Sequence, residues 1–272
     1  MANILVLITC YNRKEKTLKF IDTVLQDEQQ NFSFLIVDDN SNDGTAEAVS
    51  VFSNVKVIKG NGNLFYSGGM RTAIDEAKAS DIRKYDFVML ANDDVEFYKG
   101  AITKLISYLG AEKSIIVGAT CSSDGEMSYS GVVRTGKIRP GYRNVMSVDD
   151  EKRYCDTFCA NCVLMPTDIF SSLDNIDPVY HHAMGDFDYG YQAGKKGIRI
   201  LASHFFVGVC NDNSKVGTWK DVSLSRRERI RKKESPKGLP RKEWFHYLRK
   251  NCSFLTAVIY SIVPYVQIIL GK

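Results

Sequence analysis

Residues 90–97 read L-A-N-D-D-V-E-F, the end of an apolar strand beginning near Tyr85 that runs straight into Asp93, Asp94 and Glu96. Carboxylates clustered at a sheet edge offer hard oxygen ligands to a divalent cation, which is how many proteins hold a diphosphate without a metal cage of their own. Taken alone, such a turn is as readily a solvated cap on a strand. Two further acidic turns change the balance. Residues 34–45, F-L-I-V-D-D-N-S-N-D-G-T, begin with four apolar residues that do not alternate, the pattern of a strand buried on both faces of a parallel sheet. The polar run after them is turn chemistry leading to a helix at Thr45. Asp38 then stands outside the carboxyl end of a strand, where open α/β sheets bind ligands. The other turn, H-H-A-M-G-D-F-D-Y-G-Y at 181–191, puts Asp186 and Asp188 two apart at the start of a short helix ending near Gly194. An acid there is also simply a favourable partner for the helix dipole.

Between these lies G-N-G-N-L-F-Y-S-G-G-M-R at 60–71, followed by Ala73, Ile74 and Ala77 at helical spacing with Met70. A glycine-rich loop feeding an amphipathic helix directs an amino end at an anion. The segment lacks the form G-x-G-x-x-G, which argues against a nicotinamide enzyme.

The elements that position these turns follow from periodicity. Apolar runs at Ile4 to Ile8, Phe34 to Val37, Val55 to Ile58, Phe87 to Leu90 and Ile115 to Val117 are separated by helical stretches, the alternation of an α/β fold with a mostly parallel sheet. The first helix reads most clearly, with Asn12 as cap, Glu15 three residues on, then Leu18, Ile21 and Leu25. A chain of 272 residues, 44% hydrophobic, is long enough to bury a full core.

In this order and spacing, I-T-C-Y-N-R at 8–13, V-D-D-N-S-N-D-G-T at 37–45, the 60–71 segment, L-A-N-D-D-V-E-F and G-D-F-D-Y-G-Y at 185–191 resemble the inverting family-two glycosyltransferases of GT-A fold. The flavour is that of bacterial rhamnosyltransferase-like enzymes of surface-polysaccharide assembly (O-antigen or capsule), and the resemblance covers about the first three quarters of the chain. It implies a Rossmann-like, mostly parallel mixed sheet flanked by helices, with a nucleotide-sugar half at about 1–97 and an acceptor half at about 98–214. The implied reaction moves a sugar from a UDP- or dTDP-linked donor to a saccharide acceptor, often lipid-linked, with Mg2+ or Mn2+ as cofactor.

Carried over position by position, the resemblance places Thr9, Tyr11 and Arg13 around base and ribose and has Asp38 bonding the base. Gly68, Gly69 and Arg71 are donor-side candidates. Asn92 and Asp94 fall on the outer positions of the D-x-D motif, making Asp94 the metal ligand, with Asp93 as a substitute for the weaker amide of Asn92. Asp186 matches the general base, while Gly185 replaces the acid that precedes it. Arg71 stands where many relatives carry Asn and has either a phosphate or Asp75 as its partner. His181, His182 and Asp188 are acceptor-side candidates. A sugar hydroxyl is a poor nucleophile, so the base must be a carboxylate, and burial among Phe187, Tyr189 and Tyr191 is expected to raise its pKa towards neutrality. Cys210 and Asn211 lie near where relatives carry a metal-binding His.

Seven cysteines without an amino-terminal signal pattern point to reduced thiols in the cytoplasm. Cys155, Cys159 and Cys162 form C-x3-C-x2-C, yet no second C-x-x-C accompanies them, and Phe158, Val163 and Leu164 suggest a packed strand rather than a zinc site. Residues 215–250 carry 13 Lys and Arg against 4 Asp and Glu. Phe254 to Leu270 then runs 17 residues without a charge, with Pro264 inside it. Spanning a bilayer takes about 20 apolar residues, so 215–272 reads as a basic, then apolar, helical appendage that lies on the anionic inner face of the cell membrane or meets a second copy. Trp219, Trp244, Phe245 and Tyr247 interleave with the basic residues, but no nucleic-acid motif is present and the rest of the chain is acidic. Two rival functions stay open: a nucleotidyltransferase, which normally opens with a Gly-rich, Arg-Lys-bearing loop absent here, and a catalytically idle assembly scaffold, which Asn92 and Gly185 favour.

Overall fold

The computed structural model describes residues 1–136, 140–148 and 151–272. The amino-terminal half alternates strand and helix: β1 Asn3–Cys10, α1 Lys14–Leu25, β2 Asn31–Asp38, α2 Thr45–Val49, β3 Val55–Lys59, α3 Phe65–Ala79 and β4 Phe87–Ala91. It continues through β5 Glu96–Phe97, α4 Ala101–Leu109, β6 Ile115–Cys121, β7 Met127–Tyr129, β8 Gly131–Arg134 and β9 Tyr142–Val145. The remainder comprises β10 Thr157–Phe158, β11 Cys162–Pro166, α5 Thr167–Ser172, α6 Gly185–Lys195, β12 Ile200–Val209, α7 Arg226–Lys233, α8 Arg241–Asn251 and α9 Phe254–Ile269.

The main sheet runs β3-β2-β1-β4-β11-β6-β12-β5, with β7 beside β6. Strands β3, β2, β1 and β4 are mutually parallel, β11 is antiparallel to both its neighbours, and β12 is parallel to β6. A small antiparallel sheet, β10-β8-β9, stands apart. The expected α/β class with a mostly parallel sheet is the one found. The unalternating apolar runs are explained by burial on both faces: Leu5, Leu7, Leu35 and Val37 point into a core under α3, whereas Ile4, Val6, Ile8, Phe34 and Ile36 point into a second core under α1 and α4.

Local expectations fail in two places. Asn12 does not cap α1; it adopts a left-handed backbone (φ 51°), its Oδ1 accepts from Asn42 N at 2.8 Å, and Arg13 holds the cap position without a side-chain bond. Gly68 and Gly69 lie inside α3 rather than in the loop before it. A Cβ on Gly69 would meet Thr9 Oγ1 at 2.1 Å, so this glycine is what lets α3 lie directly on β1.

The carboxyl-terminal segment is not a separate appendage throughout. The inward face of α8 places Trp244, Tyr247 and Leu248 in the core shared with α3 and β11, and Trp244 stacks on Tyr247 at 5.5 Å. Its outward face carries the Lys and Arg residues that made the segment read as a polar tail. Among the described residues no helix is long and apolar enough to cross a membrane.

Core membership of α8 has a measurable consequence. Leu248→Ala should lower the stability of the whole domain by about 2–5 kcal/mol in a denaturant titration. A helix merely appended to the domain would leave the main transition where it was.

Candidate active site

Because β2, β1 and β4 are neighbours, the loops leaving their carboxyl ends converge, which brings 9–13, 38–45 and 92–96 to one edge of the sheet. Thr9 donates from its Oγ1 to Val37 O at 3.1 Å, and Tyr11 is exposed. Asp38 is buried and its Oδ1 accepts from Ser41 N at 2.8 Å. The neighbouring Asp39, to which the sequence drew no attention, does more. Its carboxylate accepts from Gly62 N at 2.8 Å, Leu64 N at 2.9 Å and Phe65 N at 3.0 Å. The amino end of α3, expected to meet a ligand's anion, therefore already has one from within the chain. Asp39 fixes the 60–65 loop across from Asp38.

Arg71 does not form the expected ion pair with Asp75. Its Nη1 donates to the carbonyls of Asp177 and Tyr180 at 3.3 and 3.4 Å, and Asp75 is instead taken by Asn175 Nδ2 at 2.7 Å. Arg71 thus pins the loop that leads to His181, and α3 supports both sides of the site.

At the acidic turn, Arg13 spans two carboxylates: Nη1 to Asp93 Oδ1 at 2.6 Å and Nη2 to Asp94 Oδ2 at 2.8 Å. Thr17 Oγ1 donates to the other Asp93 oxygen at 3.2 Å. Asp93 is buried, and the loss of water raises its pKa to about 6 even with Arg13 beside it. Asp94 is more open, and its Oδ1 lies 3.7 Å from the Cys210 thiol, which occupies the region where the resemblance would place a His that this sequence lacks. Arg13 and Asp94 line a cleft of about 470 Å³ with Lys16, Lys19, Cys210 and Asp212.

The turn can be tested as a cation site. Among the described residues no three His, Cys, Asp or Glu side chains are grouped as a metal cage. The Oδ1 of Asn92, however, is buried without a partner, one residue removed from the buried Asp93 and two from the cleft-lining Asp94. An amide oxygen and one carboxylate suit a cation that takes its other ligands from a diphosphate and water, so these residues fit.

The base candidate is reached through β11. Asn161 O accepts from Asn92 N at 3.4 Å, and the adjacent Ala160 N donates to Asp186 Oδ2 at 3.2 Å. Asp186 Oδ1 accepts from Phe187 N at 2.8 Å. Burial outweighs these bonds and lifts its pKa to about 6, as expected. Its nearby charge in turn adds to the effect of burial in pushing up the Tyr66 phenol and the Cys159 thiol, two neighbours the sequence did not indicate. Gly185, which departs from the acid expected there, has a steric cause: a Cβ would meet Ser67 Oγ at 2.4 Å. The start of α6 rests on α3 too closely for any side chain.

The acceptor-side candidates separate. His181 Nδ1 pairs with Glu243 Oε1 of α8 at 2.7 Å and remains half exposed. His182 packs edge-on against Tyr66, its Nδ1 is buried without a partner, and burial lowers its pKa. Asp188 must be corrected: it is turned inward, one turn along α6, and takes Lys250 Nζ at 2.6 Å and Asn251 Nδ2 at 2.8 Å. It locks α6 to α8 and is not available to a substrate. The seven thiols are unpaired; Cys162 is packed in β11, and Cys155 and Cys159 are half-buried.

A loop network tied at both ends to one sheet edge, facing an acid on a helix beyond a central antiparallel strand, matches a known family. The sequence model described as "Glycosyl transferase family 2" matches residues 5–171. The chain belongs to glycosyl transferase family 2. Membership supports transfer of a sugar from a nucleotide-sugar donor. No curated protein matches the chain. Among solved structures, mannosyltransferase PcManGT from Pyrobaculum calidifontis, in complex with GDP-Man and Mn2+, is similar with 13% identity and a TM-score of 0.56, over 98% of this chain and 72% of that one. TarS from S. aureus is similar with 13% identity and a TM-score of 0.58, over 98% of this chain. The present chain spans about half the length of TarS, 49%. At this identity both show the GT-A-like fold.

The carboxylate of Asp39 makes the donor loop a test case. Asp39→Ala leaves three backbone N–H groups without their acceptor and should weaken nucleotide-diphosphate binding at least tenfold, at a stability cost of about 1–3 kcal/mol. Calorimetric titration beside thermal unfolding separates the two effects, and unchanged affinity would show that the loop is ordered by something else.

Proposed function

We propose that the chain moves a sugar from a UDP- or dTDP-linked donor to a hydroxyl of a saccharide acceptor in one inverting displacement, and that Asp186 is the base. The single observation behind this reading is a partly buried carboxylate of pKa about 6, held by two backbone N–H groups and linked through two successive residues to the acidic turn. The acceptor hydroxyl gives its proton to Asp186 as its oxygen bonds to the anomeric carbon. The bond from that carbon to the diphosphate oxygen breaks, and the nucleoside diphosphate leaves. A divalent cation, Mg2+ or Mn2+, supplies charge neutralisation to the leaving diphosphate when bound, with Asn92 and Asp94 as its protein ligands. Thr9 and Tyr11 surround base and ribose and Asp38 bonds the base, whereas Arg13, expected beside them, is held by Asp93 and Asp94. The order of motifs supports a surface-polysaccharide role of the rhamnosyltransferase-like kind, and donor hydrolysis in the presence of Mn2+ separates an enzyme from an idle scaffold.

Two outcomes are expected of the base. Asp186→Asn should lower the transfer rate at least about a hundredfold while nucleotide affinity stays within a factor of two, measured by product release and by titration. In the wild type the rate should fall as pH drops through about 6, because a protonated acid cannot accept the hydroxyl proton. The variant's residual rate should lack that limb. A variant retaining more than a tenth of the activity would remove Asp186 from the mechanism.

The acceptor is proposed to be lipid-linked, presented at an anionic membrane that α9 lies on. The uncharged α9 turns Leu255, Ile259, Ile262, Val266 and Ile269 outward along one stripe, each 44% exposed or more. Arg226, Arg227, Arg231 and Lys242, exposed on the packed neighbours α7 and α8, make no ion pair among the described residues and supply positive charge that anionic lipid would attract. The protein should float with vesicles containing about 30% anionic lipid, lose much of that association in high salt, and lose it fully in a Leu255→Ser, Ile259→Ser, Ile262→Ser variant whose donor hydrolysis persists. A concentration-dependent dimer that ignores vesicles would replace the membrane with a second copy.

A further inference from the structure

Asp93 and Asp94, though adjacent, are held differently. Asp93 has both oxygens engaged, by Arg13 and Thr17, and its side chain is 3% exposed. Asp94 is 24% exposed, has one oxygen on Arg13, and offers the other to a thiol at 3.7 Å, a feeble donor. Arg13 itself is 36% exposed at the wall of the cleft, on the loop between β1 and α1. Its guanidinium therefore covers the one carboxylate that a cation needs, from the side open to solvent. The planar fork directs one N–H group at each of the two carboxylates.

We infer that Arg13 is an exchangeable counter-ion of the acidic turn, which keeps Asp94 paired in the donor-free protein and releases it when a cation-bound diphosphate arrives. The released guanidinium keeps its bond to Asp93, and its Nη2 turns from Asp94 to the incoming diphosphate in the cleft, where Lys16 and Lys19 stand beside Glu15, Glu96 and Asp212. Arg13 acts as a positioning residue. The divalent ion and the donor then bind as a pair, because each helps to remove a contact that opposes the other, and the coupling must be reciprocal. This inference rests on the donor being a nucleotide diphosphate only for its second half; the competition between Arg13 and a cation stands without it.

The test is binding of Mn2+ alone, followed by the paramagnetic signal of the free ion, to wild type, Arg13→Ala and Arg13→Gln. Removing the guanidinium should tighten Mn2+ at least about fivefold, and should shrink the factor by which UDP or dTDP tightens Mn2+. Equal or weaker Mn2+ binding in Arg13→Ala overturns the inference, since Arg13 then supports the turn rather than competing for it. Should Arg13→Ala fail to fold, with Asp93 left unpaired, Arg13→Gln decides: its amide can still donate to one carboxylate but brings no charge, so Mn2+ must still bind more tightly than to wild type. If no nucleoside diphosphate binds any of the three proteins with Mn2+ present, the sugar-transfer reading fails, while the Mn2+ comparison still passes or fails by itself.

Discussion

Two successive residues, Ala160 and Asn161, fix the distance between Asp186 and the acidic turn at 92–96. One backbone N–H holds Asp186 and the neighbouring carbonyl holds Asn92. They do so from the start of β11, a strand antiparallel to its neighbours in the middle of an otherwise mostly parallel sheet. Reversing that one strand presents its amino end, with unused backbone groups, at the sheet edge where the parallel strands present their carboxyl ends. Through it, Asp186 and the 92–94 turn are bonded to one short stretch of main chain. Catalysis by positioning needs such a tie, because a misplacement of about 1 Å can cost on the order of a hundredfold in rate.

Around that tie, each mobile-looking loop is held by a carboxylate or a guanidinium rather than by packing. Asp39 gathers three N–H groups of the 60–65 loop, Arg71 gathers two carbonyls of the 177–180 loop, and Arg13 gathers the acidic turn. Charged partners in a partly desolvated setting make stronger and more directional bonds than neutral ones. They can also be exchanged for a substrate's charges without unpacking the core, which suits a site that must open and close.

How much of this the sequence disclosed depends on the type of signal. The parallel core strands were legible because burial on both faces leaves unalternating apolar runs, and the acidic turns were legible because they follow those runs. Asp186 was singled out by its place in a motif, and its burial raises its pKa in the expected direction. What the sequence hid were long-range pairings with no local mark. Asp39 could not be told from Asp38, since which of two adjacent acids faces a loop 23 to 26 residues away is set by tertiary structure. Asp188 looked like a twin of Asp186, but two positions along a helix is a turn of about 200°, enough to send it to the opposite face. Gly185 looked like a lost acid until the proximity of Ser67 explained it. The α8 helix was misjudged because its charges dominate its composition, whereas three inward residues decide where it packs.

The ion pairs of α8 give the fold an evolutionary handle. Glu243 meets His181, His246 and Lys250 meet Asp177, and Lys250 with Asn251 meets Asp188. Every one of these contacts falls on the 177–188 segment, and none touches the loops at 9–13, 38–45 or 92–94. Segments 241–251 and 177–188 are thereby bound to change together through descent, as a lock and its keeper, because a charge altered on one leaves its partner on the other unmatched.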